Sequence, residues 1–449
     1  MAAILWFRRD LRLGDHPALL AAASEGSVLP VFILDPRQLA GPEAVSRTYL
    51  YRSLRALQEQ FDGGLCVRVG EPEQVIPALA REVAADSVHV STDYGNFGRE
   101  RDARVQQLLE AEGVRLVATG SPYAVAPGRI RKEDGTPYRV YTPYWKAWMR
   151  HGWRAPAESA TAAVQWLRLP AEPIPADDDL GSLRLPAAGE AAALERWAWF
   201  RDNALAEYAD LRDRADLDAT SQLSAALRFG EVHPRTLLAQ LGDERGHEVY
   251  RKELAWREFY ADVLWHAPQT ATEYLDERFA GMRYDTGASA RLRFQAWCEG
   301  RTGYPFVDAG MRQLLAEGWM HNRVRMVVAS FLVKDLHLEW QQGERWFARW
   351  LRDYDRASNA HGWQWTAGCG TDASPYFRIF NPVMQGVKFD PAGDYVRRYV
   401  PELAHVPGAA VHEPWKTAAG TIHGYPERIV DHHVERDEAL ARYAAIKGE

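Results

Sequence analysis

The sequence predicts an α/β domain with a doubly wound parallel sheet, then a long connector, then an all-α domain. Short β-branched apolar segments alternate with helical patterns over the first 120 residues, whereas strand patterns vanish after about residue 195. The chain has 449 residues, 47% of them hydrophobic, which is enough for two or three cores. We therefore expect an α/β domain over residues 1–120, a connector over 121–195 and a helical domain over 196–449.

Five segments are expected to form the parallel sheet. They are residues 3–7, 28–34, 65–69, 87–91 and 114–118. Each neighbouring pair is separated by one stretch with helical spacing, which is typical of βα units. The first segment runs into Phe7-Arg-Arg-Asp-Leu-Arg-Leu-Gly-Asp15 without a Gly-x-Gly-x-x-Gly motif. A dinucleotide in the usual place at the first strand is therefore not expected.

The connector and the second domain have different patterns. Residues 120–195 contain prolines at 156, 170, 173, 175 and 186 and the run Asp177-Asp178-Asp179, which is expected to be a solvated loop. A short helix is expected over 142–149. Further on, helical periodicity recurs at 249–266, 306–317, 324–336 and 343–351.

Composition excludes several classes of protein. No run of 18 apolar residues exists, and the N-terminal charges follow the apolar run, the reverse of a signal peptide, so we expect a cytoplasmic protein that does not enter a membrane. Cys66, Cys298 and Cys369 are odd in number and lack metal-ligand spacing, so they are expected to be reduced thiols with no metal site.

The net charge of -7 argues against nucleic-acid binding through the whole surface. Residues 301–400 carry thirteen Lys and Arg against ten Asp and Glu, which suggests one basic face on an acidic body.

Two motifs lie at or on helices. Thr220-Ser-Gln-Leu-Ser224 places three hydroxyls before a helical run, which suits helix capping or, alternatively, phosphate binding. Glu253, Trp256, Arg257 and Tyr260 share one helix face. Such a face is either packed with paired polar groups or presented to a ligand.

The segment 301–381 combines tryptophans with arginines and carboxylates. Asn322, Arg325 and Met326 share a face, and Asp353 and Asp355 are candidates to pair with Arg325, either to fasten helices or to line a redox site. The indoles of Trp340, Trp363 and Trp365 are either core anchors or members of an electron relay.

These motifs together resemble the photolyase and cryptochrome family along nearly the whole chain. The resemblance is carried by Trp6-Phe-Arg-Arg-Asp-Leu-Arg-Leu13, Thr220-Ser-Gln-Leu-Ser224, Trp256-Arg-Glu-Phe-Tyr260, Thr302-Gly-Tyr-Pro-Phe-Val-Asp-Ala-Gly-Met-Arg312, Gly318-Trp-Met-His-Asn-Arg323, Phe331-Leu-Val-Lys-Asp-Leu336 and Gly362-Trp-Gln-Trp365. Their order and spacing are highly specific. The resemblance implies an antenna-type α/β domain followed by a helical domain that holds a U-shaped FAD, reduced in the active form.

The resemblance also assigns site residues. FAD contacts are implied for Tyr208, Thr220, Ser221, Gln222, Leu223, Ser224, Tyr250, Arg325, Asp353, Tyr354, Asp355 and Asn359. Gln222 stands where the family commonly has Arg or Lys. Neutral Asn359 beside flavin N5 is suited to accept a hydrogen bond from the reduced ring without opposing electron addition.

The implied substrate is a pyrimidine dimer flipped out of damaged DNA, repaired by one electron that passes from light-excited reduced FAD and then returns. The residues expected to face the dimer are Glu253, Trp256, Asn322, Arg323, Met326 and Trp365. Arg212, Arg257, Arg378 and Gln385 are candidates for contact with the flanking DNA backbone. The protein is expected to be a monomer with no obligatory protein partner.

Three details favour a cyclobutane pyrimidine dimer photolyase of the microbial class I type. His321-Asn322 differs from the His-His pair of (6-4) photolyases, Asn359 differs from the Asp of plant cryptochromes, and the chain ends at Glu449, which leaves no signalling tail. The alternatives are a cryptochrome-like blue-light sensor and a (6-4) photolyase. The intact Glu253, Trp256, Asn322 and Met326 argue against a sensor.

Two positions depart from the family pattern. The expected relay is Trp363, then Trp340, then Tyr284, where the family usually has a surface Trp, and the stretch from Tyr284 to Trp297 is about three residues longer than usual. Phe97-Gly98 stand where folate-binding members have Asn-Glu. The second, antenna chromophore is therefore left open between a deazaflavin, a flavin, a folate and none.

Overall fold

The chain divides into two compact units in this computed structural model, which describes residues 2–158, 164–373, 375–376, 378–417 and 424–447. The first unit comprises residues 1–180, 186–206 and 221–268, and the second comprises 181–185, 207–220 and 269–449. These limits differ from the expected boundaries at 121 and 196, because helical residues up to 268 pack into the first unit.

The first unit is built around a five-stranded parallel sheet, as the sequence predicts. The strands are β1 (Ala2–Phe7), β2 (Ser27–Leu34), β3 (Cys66–Val69), β4 (Ala85–Val90) and β5 (Arg115–Ala118). Their order is β3-β2-β1-β4-β5, so the winding direction reverses between β1 and β4. Ile4 lies between Leu29 of β2 and Val88 of β4, and all three are fully buried. Burial of the central strands on both faces explains their continuous apolar runs.

Helices occur in both units. The first eleven are α1 (Pro17–Glu25), α2 (Pro36–Leu39), α3 (Ala44–Gln60), α4 (Pro72–Glu82), α5 (Asn96–Ala111), α6 (Tyr141–His151), α7 (Glu190–Asn203), α8 (Tyr208–Leu211), α9 (Ser224–Phe229), α10 (Pro234–Leu238) and α11 (Arg245–His266). They are followed by α12 (Gly287–Cys298), α13 (Pro305–Glu317), α14 (Asn322–Ser330), α15 (Trp340–Trp350), α16 (Arg356–Ala367), α17 (Pro382–Phe389), α18 (Asp394–Tyr399) and α19 (His432–Lys447). Helix α8 and helices α12 to α19 belong to the second unit.

Short 3₁₀ turns connect several of the helices. They span Pro268–Ala271, Glu277–Gly281, Pro401–Leu403, Gly408–His412 and Pro414–Lys416.

One predicted helix is interrupted. The sequence predicts a continuous helix over 324–336, but α14 ends at Ser330 and a π-helical turn spans Phe331–Asp335. The extra residue in that turn breaks the 3.6-residue period. Both Lys334 and Asp335 are buried there, and Asp335 pairs with His432 of α19 at 2.5 Å.

Loop residues of the first unit are fastened by ion pairs and by one buried carboxylate. The run Asp177-Asp178-Asp179, expected to be solvated, in fact contacts α3. Asp177 pairs with Arg52 at 2.8 Å and Asp178 with Arg47 at 3.0 Å.

Glu258 of α11 accepts hydrogen bonds from the backbone nitrogens of residues 124 and 125 (2.5 and 3.0 Å) and from Trp148 Nε1 (2.7 Å). Burial raises the pKa of Glu258 to about 7.

The three cysteines are buried and free of disulfides. Within the described residues, no group of three or more His, Cys, Asp or Glu side chains is placed to hold a metal ion. Over the same residues, each helix is too short or too polar to cross a membrane.

Replacing Glu258 with Ala should destabilise the first unit by roughly 3–5 kcal/mol, because three buried N–H donors lose their acceptor. Chemical denaturation measures this change in the free energy of unfolding. Lys252→Ala is the control on the same helix. It removes the exposed pair with Glu248 and a cation–π contact 5.8 Å from the Trp145 ring centre, and should cost less than about 1 kcal/mol. Equal losses in the two variants would contradict this role for Glu258.

Candidate functional site

In the second unit, α14 carries the arginine that the sequence places beside a carboxylate. Arg325 donates to Asp353 Oδ2 at 2.8 Å and to the backbone oxygen of Met320 at 2.8 Å. The predicted pairing of Arg325 is therefore confirmed for Asp353, whose side chain is only 2% exposed. Asp355 instead caps α16 by accepting from the Ser358 nitrogen at 3.1 Å. The guanidinium is thus fixed in direction and keeps a partly exposed face.

Asn359 on α16 is held by a neighbour that sequence reasoning missed. Its Nδ2 donates to Glu344 Oε1 at 3.0 Å and to the Glu344 backbone oxygen at 3.2 Å. Glu344 Oε1 also accepts from the Tyr354 hydroxyl at 3.2 Å, and burial raises the pKa of Glu344. Because the amide nitrogen is engaged by Glu344, the Asn359 carbonyl oxygen is the end left to accept a hydrogen bond from a ligand.

The indole of Trp363 lies against the backbone of α15. A Cβ atom on Gly343 would overlap the Trp363 ring, so only glycine lets α15 and α16 approach this closely. Phe347 packs edge-on against the same ring at 5.0 Å, and Trp363 is 2% exposed. Trp365, two residues further along α16, is on another side of the helix and is partly exposed.

The other two relay candidates are joined by a residue that the sequence did not reveal. Trp340, at the start of α15, is fully buried and meets the ring of Tyr274 edge-on at 6.1 Å. Tyr274 in turn is stacked on Tyr284, with ring centres 6.5 Å apart. The ring that lies between Trp340 and Tyr284 is therefore Tyr274.

Polar side chains at the start of α14 are open to solvent. Asn322 is exposed, and its Nδ2 is 4.0 Å from Met326 Sδ, one turn along. Arg323 pairs with Asp213 at 2.8 Å and lies over the Phe389 ring at 4.6 Å. The buried neighbour His321 has its pKa lowered to about 4, so the neutral ring can accept from the Arg323 nitrogen and cap α14.

Two further DNA candidates occur near α17 in the second unit. Arg378 is exposed, and Gln385 is partly buried on α17. Asn381 caps this helix by accepting from two backbone nitrogens at 3.0 Å. Arg212 follows directly after α8 and is partly exposed. All three candidate side chains therefore have at least part of their surface in solvent.

In the first unit, Trp256 of α11 is backed by an aromatic residue from α6. Tyr141 is stacked on Trp256 with ring centres 3.7 Å apart and an angle of 9° between the planes. The Tyr141 hydroxyl donates to the Lys252 backbone oxygen at 2.7 Å, which fixes the stack. One face of Trp256 is thus covered, and the remaining partly exposed surface is what a ligand can contact.

Residues 221–224 and α11 meet in the same unit. Tyr250 is buried, its pKa is raised by that burial, and its hydroxyl interacts with the Ser221 side chain and the charge of Glu253. Helix α9 begins after Leu223, whose own side chain does not cap it, and Ser221 Oγ accepts from the Leu223 backbone nitrogen at 3.4 Å. Gln222 has a left-handed backbone, with φ of 53°. Thr220 and the buried Tyr208 belong to the second unit.

The Arg257 side chain is hydrogen-bonded within the first unit. Its two terminal nitrogens donate to the backbone oxygens of Pro122 (3.1 Å) and Leu227 (3.0 Å), and its guanidinium lies 4.7 Å from the Tyr123 ring centre. These contacts account for the arginine at this position of α11.

The position expected to contact an antenna folate is sterically restricted. A Cβ on Gly98 of α5 would overlap the carboxylate of Asp93, so a glutamate does not fit there unless Asp93 moves. The neighbouring Phe97 ring lies under the Arg37 guanidinium at 5.2 Å, and Arg37 pairs with Asp35 and Glu73 at 2.7 Å each. Phe97 and Gly98 are therefore packed against charged side chains of the first unit.

Three contributing residues escaped the sequence analysis: Tyr141, Tyr274 and Glu344. Each acts through a partner distant in sequence, so helical spacing gave no signal for Tyr141 or Tyr274. Glu344 lies four residues after Trp340 on α15, and that spacing was the available clue.

Comparison with known proteins gives matches along the chain. A family model described as DNA photolyase matches residues 3–163, and one described as FAD binding domain of DNA photolyase matches residues 250–445. The deoxyribodipyrimidine photo-lyase of Agrobacterium fabrum is 41% identical, covering 99% of this chain and 98% of that protein.

Solved structures are similar as well. A class III photolyase from Agrobacterium tumefaciens has a TM-score of 0.89 at 38% identity, covering 100% of this chain and 98% of that one. An archaeal photolyase from Sulfolobus tokodaii with two FAD molecules has a TM-score of 0.84 at 30% identity (99% and 100% covered). A Synechocystis cryptochrome has a TM-score of 0.86 at 28% identity, with 98% of each chain covered.

Replacing Gly343 with Ala should lower the free energy of unfolding by about 1–3 kcal/mol, because the new methyl group overlaps the Trp363 ring. The matched control is Gly362→Ala on α16, where a Cβ meets nothing within 4 Å. That variant should be unchanged or up to about 1 kcal/mol more stable, since Ala favours helix. Denaturant titration followed by tryptophan fluorescence checks both, and an undisturbed Gly343→Ala protein would contradict the packing described.

Proposed function

This chain belongs to the DNA photolyase family, and we propose that it repairs cyclobutane pyrimidine dimers in DNA with light through the residues described above. The observation that carries the proposal is the pair of oriented groups in the second unit. They are the Arg325 guanidinium fixed by Asp353 and the Asn359 amide fixed by Glu344. Class I membership stays a prediction, because the similar solved structure from Agrobacterium tumefaciens is a class III photolyase.

The described residues fit the isoalloxazine ring of FAD. When bound and reduced, FAD supplies one electron on excitation by light. Asn359 offers a neutral acceptor oxygen to a protonated ring nitrogen, and Arg325 offsets negative charge on the reduced ring. We assign the remaining flavin contacts to Tyr208, Thr220, Ser221, Gln222, Leu223, Ser224, Tyr250, Asp353, Tyr354 and Asp355. Trp363, Trp340 and Tyr284 are assigned to the relay that keeps the flavin reduced.

The dimer is held by residues with complementary chemistry. Glu253 accepts hydrogen bonds from a pyrimidine edge, and Trp256 and Trp365 give apolar surface to the lesion. Asn322, Arg323 and Met326 complete this set. Two carbon–carbon bonds of the cyclobutane break after the dimer gains the electron, and the electron then returns, so there is no net redox change.

DNA outside the lesion is bound mainly through phosphates. Arg212, Arg378 and Gln385 are the residues we assign to it, which gives affinity with little sequence preference. Arg257, which the sequence also predicts there, stays a prediction, since two of its guanidinium nitrogens donate to backbone oxygens of the first unit. We also propose that the chain acts as a monomer without an obligatory protein partner. For the antenna, a deazaflavin, a flavin, a folate and an empty site all stay open.

The second candidate is a blue-light sensor, which the likeness to a cryptochrome favours. A sensor needs the flavin and relay but has no use for Glu253, Asn322 and Met326. A repair assay therefore separates the two functions.

Fully reduced protein should restore thymines in an oligonucleotide with a cyclobutane dimer under light, and not in one with a (6-4) photoproduct. Glu253→Ala should lower the repair yield roughly tenfold to a hundredfold, because the pyrimidine edge loses a charged acceptor. Glu248→Ala is the matched control, an exposed carboxylate on the same helix that pairs with Lys252. Absence of light-dependent repair by the wild type would refute the enzyme, and repair of only the (6-4) lesion would assign the other photolyase branch.

Replacing Asn359 with Asp should shift the reduction potential of the bound flavin to more negative values, by on the order of tens of millivolts, since a carboxylate opposes electron addition. A spectroelectrochemical titration measures this shift. Asn203→Asp adds the same charge at an exposed site of α7 and should leave the potential unchanged. Identical potentials in Asn359→Asp and wild type would show that Asn359 does not contact the flavin ring.

A further inference from the structure

We propose that Tyr274 passes electrons from Tyr284 to Trp340, so that two stacked phenols form the outer end of the relay. This inference rests on the proposed function and adds a residue that neither the sequence pattern nor the relay Trp363, Trp340, Tyr284 contains. It concerns how an oxidised flavin is returned to the reduced state in light, and not the repair step.

Ring geometry gives the order of the carriers. The nearest redox-active ring that Trp340 meets on this side is Tyr274, edge-on at 6.1 Å with an interplanar angle of 85°. Tyr274 and Tyr284 are nearly parallel, with an angle of 14° and ring centres 6.5 Å apart. Electron transfer between aromatic rings falls off steeply with distance. Transfer through Tyr274 therefore takes two short steps in place of one long one.

Burial explains why the relay needs these phenols. Trp340 is 0% exposed and Trp363 is 2% exposed, so neither indole can be reduced directly by a donor in solvent. Tyr274 and Tyr284 are both partly exposed. The Tyr284 segment is also fixed, because Arg442 of α19 donates to the Arg283 backbone oxygen at 2.9 Å and to Asp285 at 2.7 Å.

Trp297 is the alternative electron donor to Trp363, but within the described part of the chain it has no other oxidisable ring neighbour from which it can be refilled. Trp297 is also 6.1 Å from Trp363, but it is fully buried and its Nε1 donates to the Val328 backbone oxygen at 3.0 Å. Its own ring neighbours are Phe294 (5.9 Å) and Phe347 (6.2 Å), which are much harder to oxidise than tyrosine or tryptophan. If Trp297 gives an electron to Trp363, the electron therefore returns to Trp297 from Trp363.

The step balances in electrons and protons. Trp363 would supply one electron to the light-excited oxidised flavin, Trp340 would then refill Trp363, and Tyr274 would refill Trp340. Tyr274 would be refilled from Tyr284. Because the Tyr284 hydroxyl oxygen is buried while its residue is partly exposed, its proton passes to water that enters beside the ring, and a neutral tyrosyl radical then forms. An external thiol then reduces that radical. Among the described residues, neither phenolic oxygen has a well-aligned hydrogen-bond partner, and burial raises the pKa of Tyr274 to about 12. Both phenols therefore begin protonated, and oxidation is coupled to proton loss.

Tyr274→Phe keeps the ring and removes the oxidisable hydroxyl. Flash photolysis of the oxidised holoprotein should show a tryptophanyl radical that recombines with the flavin, and the yield of long-lived radical should fall at least about tenfold. Tyr284→Phe should leave a shorter-lived tyrosyl radical on Tyr274. Trp297→Phe is the control and should match wild type.

Electron paramagnetic resonance with ring-deuterated tyrosine identifies the radical. A narrowed spectrum in wild type, lost in Tyr274→Phe, supports the proposal. An unchanged yield and lifetime in Tyr274→Phe overturns it, as does a tryptophanyl radical as the long-lived species in wild type. Dimer repair by chemically reduced wild-type protein is measured separately, so failure of the proposed function is distinguishable from failure of the relay.

Discussion

The close approach of α15 and α16 is the constraint on which the candidate site depends. The two helices meet where Gly343 leaves room for the Trp363 ring, and the next residue, Glu344, is the one that holds Asn359. A side chain at position 343 would move both helices apart. The same contact therefore positions the indole of the inner relay and the amide that we assign to the flavin.

The charged side chains of the candidate site are each paired with a neighbouring polar or charged group. The Arg325 charge is balanced by the nearly buried Asp353, while the buried carboxylate of Glu344 is satisfied by an amide and a phenol. Two oxygens of Glu344, one carboxylate and one backbone, orient Asn359 by accepting from its amide nitrogen. A ring that cycles between charge states is better served by such oriented, preorganised groups than by mobile surface charges.

The sequence correctly predicts the elements whose residues have a clear local pattern of hydrophobicity or charge. The five strands lie within two residues of their predicted limits, and β1 and β2 have continuous apolar runs because they are buried on both faces of the sheet. The π-helical turn at Phe331–Asp335 was missed, since one inserted residue is invisible to a helical period. Arg325 with Asp353 was foreseen because opposite charges suggest pairing. Tyr141 behind Trp256 and Tyr274 beside Trp340 were not foreseen, because aromatic partners more than 60 residues apart in sequence leave no periodic pattern.

The central claim is that a reduced flavin held by Asn359 and Arg325 gives its electron directly to a pyrimidine dimer. The excited-state lifetime of the reduced flavin in the purified protein tests this claim most directly. It should shorten severalfold when a dimer-containing oligonucleotide is added and stay constant with the same undamaged sequence. An identical lifetime with both oligonucleotides would contradict electron transfer to the lesion.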